Sequence, residues 1–134
     1  MARSAVVTYI RYEAAQACPG AAPTGIFGLA NGLARSGRLT PEDWAVWRAG
    51  NDWYDAAYPD PGAVDPTLFD KSVHPVVSCW FREAAAAHLL VRVPVYLDLL
   101  DRYGVGWVEQ RSADPGVVLY SDDVQIVVRP HDPS

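Results

Sequence analysis

The stretch Ser72–Leu90, "SVHPVVSCWFREAAAAHLL", decides how the chain is read. Its first half is extended and its second half has helical character. The spacing predicts a long helix from this point, with Ser78 as the cap and Cys79 as the first helical residue. That register puts Ala86, Leu89, Val93, Leu97 and Leu100 on one face. Glu83, Val91, Pro94, Asp98 and Arg102 fall nearer the opposite one. An interior Pro94 would strain such a helix by roughly 3 kcal/mol. Either the helix bends there around the core, or it breaks at Val93 into two shorter ones. Gly104 ends it in both cases.

Outward from this stretch, the pattern alternates between the two periodicities. "AVVTYIRYE", Ala5–Glu13, is β-branched and aromatic and predicts a first strand. A small-residue loop follows. Thr24 is then placed to cap a helix over "GIFGLANGLARSG", ended by Gly37. Gly28 and Gly32 lie four apart and predict close helix packing on one face. Thr40, Pro41, Glu42 and Asp43 mark a helix start by cap, first-turn proline and dipole complement. The helix they open carries Trp44, Trp47, Tyr54 and Tyr58 on one stripe, with Asn51 between them. Such a stripe is read as core or as a binding face.

Residues 59–75 form a proline-rich loop and a candidate lid. Past Gly104, "VGWVEQRS", "VVLYS" and "VQIVVRP" alternate as strands. Residues 130–134 read as a tail. The predicted fold class is α+β, a single domain over residues 1–134. Its antiparallel sheet consists of the N-terminal strand plus a C-terminal three-strand meander, with about three helices on one face.

Composition bounds the functions. The chain has 134 residues, half of them apolar, which is enough for one buried core. Five Trp, seven Tyr and three Phe argue for order. The net charge of -5, with no basic run, argues against nucleic-acid binding. No apolar segment is long enough for a bilayer, and nothing reads as a targeting segment. The expectation is a cytoplasmic protein without membrane contact. Cys18 and Cys79 have no metal spacing, so no metal and no cofactor is expected. A Cys18–Cys79 bridge would need an oxidising compartment.

The pieces Gly25-Ile26-Phe27, Cys79-Trp80-Phe81, Gly104-Val105 and Asp114 to Asp122 together resemble a family of small bacterial proteins. The pattern is an early "GIF" helix, "CWF" opening a long helix, and a terminal hairpin. The resemblance covers most of the chain and implies no activity, because none attaches to that family. The stretch "NDWYDAAYPDPG" and Pro94 depart from the pattern.

Cys79 is the candidate nucleophile. At a helix start, free amides and the dipole would stabilise its thiolate. "SCWF" is also similar to the papain-like pattern, in which Cys-Trp opens the central helix. The base is the missing part. His88 would sit on the opposite face of the same helix. His74, on the incoming loop, is the candidate partner. His131 is in the tail, and the strands between Val105 and Arg129 contain no histidine. The favoured reading is a buried, inert thiol, because free cysteine is among the most buried residue types. Glu13, Glu42, Glu83 and Glu109 are too scattered to name a carboxylate pair.

Trp44, Trp47, Trp53, Tyr54, Trp80 and Arg82 are the candidate binding residues. Three functions fit: a non-catalytic interaction or regulatory protein, a small-molecule binding domain with an aromatic pocket, or a cysteine-dependent enzyme. The first is the leading expectation. A protein partner or a homodimer is expected with it, the latter through the terminal strand Val124–Val128 acting as a sheet edge.

Overall fold

The computed structural model describes residues 7–16 and 23–131. Five strands form one sheet: β1 Tyr9–Ala14, β2 Ser78–Arg82, β3 Trp107–Ser112, β4 Gly116–Ser121 and β5 Gln125–Pro130. Their order is β3-β1-β2-β5-β4, and every pair is antiparallel. The helical segments are α1 Ile26–Arg35, α2 Pro41–Ala57, α3 Pro61–Val64, α4 Ala87–Leu90 and α5 Val93–Arg102. This is the α+β plan expected from the sequence.

The opening stretch folds differently from its reading. Ser78–Arg82 is a strand, so Ser78 caps nothing and Cys79 is not at a helix start. The physical reason is pairing on both sides. Tyr9 and Ile10 of β1 face Arg82 and Phe81, and β5 lines the other edge from Ser78 to Phe81. Cys, Trp and Phe suit a pleated surface with neighbours on each side. The chain leaves β2 through turns and becomes helical only at α4 and α5. Pro94 stands in the first turn of α5, where a missing amide hydrogen costs nothing. The break at Val93 is therefore the arrangement found. Gly104, at a φ of 70°, takes the left-handed conformation that stops α5.

The C-terminal strands are not a meander. β4 and β5 form a hairpin, while β3 pairs along its whole length with β1 on the far side of the sheet. β5 is consequently an interior strand, held by β2 and β4. Val124–Val128 cannot template a second copy, because both edges of that segment are occupied; β3 and β4 are the edges. Pro130 belongs to β5 and not to a tail.

The helix signals fare better. Thr40 accepts a hydrogen bond from the Asp43 amide at 3.1 Å, and Pro41 opens α2. Gly37, at a φ of 75°, follows the end of α1. The cap of α1 is Gly25, however, and Thr24 makes no cap bond. A Cβ on Gly32 would meet open space, so close packing does not account for that glycine.

Helices α1, α2, α4 and α5 share a core of Ile26, Ala30, Leu33, Tyr54, Ala86, Leu89, Val93, Tyr96, Leu99 and Leu100. Tyr12 and Phe81 of the sheet pack against it. The aromatic stripe of α2 divides along its length. Tyr54 is buried, Trp47 half-buried, and Trp44 is 48% exposed. Among the described residues no helix is long and apolar enough to cross a membrane.

Candidate functional site

The site begins where two strands part. β1 and β2 pair only at Tyr9–Arg82 and Ile10–Phe81. Beyond that point the partner of β1 is the segment leading into α1. Glu13 bridges Gly25, and the Ala14 amide donates to the Thr24 carbonyl at 2.7 Å. The Cys79 carbonyl receives Arg11 Nη1 at 3.0 Å. Arg11 also donates to Glu13 Oε1 at 2.8 Å and to the Pro23 carbonyl at 2.5 Å. One buried guanidinium thus satisfies three acceptors where the ladder ends. It brings Gly25-Ile26-Phe27 next to Cys79-Trp80-Phe81.

A cleft of about 550 Å³ opens there, between the sheet, α1, the end of α2 and the loop after it. Its aromatic floor is Phe27, Tyr54, Tyr58 and Phe81. These rings meet edge to face. Phe27 and Tyr54 lie 4.9 Å apart, Tyr58 and Phe81 5.8 Å, and Phe27 and Phe81 6.3 Å. Such pairs gain about 0.5–1.5 kcal/mol each beyond area burial. Tyr54 donates to the Leu89 carbonyl at 2.6 Å. Burial pushes its phenol up to about 12, and pushes that of Tyr58 higher still.

The proline-rich loop supplies one wall through Pro59, Asp60, Pro61 and Phe69. Aspartates give it order. Asp60 caps Gly62, Asp65 binds Thr67, and Asp70 binds Ser72 through backbone and hydroxyl. Gln125 ties the loop to the sheet, donating to the Pro59 carbonyl at 2.9 Å and to Asp122 at 3.0 Å. Burial opposes charge on Asp122. Hydrogen bonds from Gln125, the Val124 amide and Tyr120 outweigh it and hold the carboxyl below its usual range.

Of the binding residues expected from the sequence, Tyr54 and Trp80 line this cleft. Strand alternation turns the Trp80 indole away from the face that carries Cys79 and Phe81; it donates to Ser78 Oγ at 3.0 Å. Trp44 and Trp47 meet at a tilt, with ring centroids 5.7 Å apart, away from the cleft. Trp47 donates to Asn31 at 2.9 Å, and Trp53 lies under the Arg92 guanidinium at 4.3 Å. Arg82 is engaged by Asp122 and Ser121, and its guanidinium lies over the Tyr9 ring at 5.7 Å. Phe27, Tyr58, Phe69 and Phe81 are cleft residues absent from that expectation. The four-residue spacing of Tyr54 and Tyr58 was the available signal.

Cys79 lines the cleft and is a free thiol among the described residues; Cys18 lies outside them. Burial pushes the thiol up, and nearby Arg11 offsets only part of this. His74 does not line the cleft, and no other lining residue is a histidine. His88 is exposed on α4, and His131 pairs with Asp114 at 2.9 Å. The thiolate and base expected for a nucleophile are therefore not assembled. After Cys18→Ser, maleimide labelling of the native protein should be slower than that of a free thiol near neutral pH. It should rise only above the usual thiol range, and His74→Ala should not alter it. Rapid labelling near neutral pH, slowed by His74→Ala, would restore the nucleophile.

Comparison with known proteins finds no matching family model, no matching curated protein and no matching solved structure.

Proposed function

We propose that this protein is a non-catalytic small-molecule binding domain and that the aromatic cleft is its site. The observation that carries this reading is the cleft itself. A volume of about 550 Å³ floored by four aromatic rings lies within the range of ligand pockets. A few polar groups reach the same space: Asp55, Asp60, Cys79 and Gln125. The two tripeptides that carry the resemblance to small bacterial proteins, Gly25-Ile26-Phe27 and Cys79-Trp80-Phe81, both line it. A bacterial cytoplasmic setting goes with this reading. A protein partner has less support, since the large exposed apolar side chains are spread over separate elements, with Trp44 and Val46 on α2, Val95 on α5, and Val117 and Val118 on β4.

The neutral dye Nile red tests the reading. Its fluorescence should rise saturably at one site per chain. Tyr58→Ala should weaken binding by about tenfold through lost ring contact, and Trp44→Ala should leave it unchanged. Absence of saturation, or equal loss in the two variants, would overturn the assignment.

A further inference from the structure

We propose that the cleft selects an organic cation, a small molecule carrying an alkylated ammonium group; this rests on the cleft being a ligand site. The charges around it are one-sided. Arg11 is the only cationic residue among those lining the cleft, and its guanidinium is already engaged at Glu13, Cys79 and Pro23. Three of its five N–H donors are spent there, and Glu13 already balances its charge. Two carboxylate residues belong to the same lining, both exposed: Asp55 from α2 and Asp60 from the loop. Asp55 makes no ion pair among the described residues. Asp60 uses Oδ1 on the Gly62 amide at 3.0 Å, which leaves its other oxygen uncommitted.

Between these carboxylates and the floor, a ligand meets rings whose faces carry negative electrostatic potential. Alkylated ammonium groups bind such rings because their charge is spread over methyl surface that is cheap to desolvate. An anion would meet Asp55 and Asp60 with no free counter-charge. A neutral apolar molecule would gain the burial but not the attraction. The overall charge of -5 adds a field of the same sign.

Choline and its uncharged isostere dimethylbutanol, with a tert-butyl group for the trimethylammonium, separate these effects at equal shape. In NMR titrations of the full chain, choline should bind about tenfold tighter than dimethylbutanol. Added salt should narrow the difference. In the double variant Asp55→Asn, Asp60→Asn the ratio should fall towards one. Asparagine at position 60 keeps a side-chain oxygen for the Gly62 amide, and thermal unfolding checks that the fold persists. Equal binding of the two probes, or a ratio untouched by the double variant, would overturn the cation proposal. So would Nile red binding in the cleft with neither probe bound; in each case the ligand site stands. Failure of all three molecules to bind would remove the ligand site and the cation proposal together.

Discussion

Tyr96→Ala should destabilise the protein by about 3–5 kcal/mol, a large share of the 5–15 kcal/mol typical of a domain. Tyr96 is 2% exposed. Its ring meets Phe27 at 4.9 Å and Tyr54 at 5.8 Å, so it supports the cleft floor from below. It also lies against the backbone of α2, where a Cβ on Gly50 would come 2.8 Å from the phenol oxygen. That oxygen donates to Asn51 Oδ1 at 2.6 Å. Asn51 in turn donates to Asn31 Oδ1 at 2.9 Å, the same oxygen that Trp47 uses. Tyr96→Phe keeps the ring and orphans the Asn51 oxygen, so about 1–3 kcal/mol should be lost. Urea unfolding gives both numbers. An alanine variant within about 1 kcal/mol of the parent would show that this ring does not join the helices.

Alkali should unfold the protein, with the loss concentrated between about pH 10 and 12. Four phenols at the helix–sheet interface are held neutral, in each case first by burial. Tyr12 and Tyr54 are pushed up to about 12, Tyr58 and Tyr96 beyond that. For Tyr12 a hydrogen bond to Glu109 adds to burial. In the unfolded chain these groups ionise near the ordinary value of about 10. Above it the unfolded chain binds fewer protons than the folded one, so stability falls as pH rises. The contribution is fully present below about pH 10 and is lost as pH climbs through the folded values. Phenolate absorbance should appear together with the loss of near-ultraviolet dichroism. Seven tyrosines titrating near pH 10 with the fold intact would contradict the burial described here.

What sequence can disclose differs between the helices and the sheet. The start of α2 is legible because Thr40, Pro41, Glu42 and Asp43 act locally, each within one turn. The strand Ser78–Arg82 is not, because its conformation is imposed by β1, seventy-one and seventy-three residues earlier, and by β5, forty-four to fifty later. The apolar spacing after Cys79 fits a helix equally well until those neighbours are known. The same error puts Cys79 at a helix start, which is the premise of its reading as a nucleophile. On β2 it faces a cleft and is disfavoured as an anion.

The cleft was partly visible. Tyr54 and Tyr58 sit on one helical stripe, and the loop after them was marked by its prolines. In the sequence, Phe27 and Phe81 stand out only as parts of short motifs. Their meeting depends on where β1 and β2 part and on Arg11 filling the gap, which no local pattern encodes. The tryptophans are the largest side chains of the sequence, yet Trp47 and Trp53 are held by Asn31 and Arg92.

The most direct test of the cleft as the binding site is a titration with indole followed by the backbone amide NMR spectrum. Shifts should saturate and concentrate at Phe27, Tyr58, Cys79 and Phe81, which lie on α1, just past the end of α2, and on β2, and which all line the cleft. Shifts confined to Trp44 and its neighbours or to the β4 edge, or none at millimolar indole, would contradict the account.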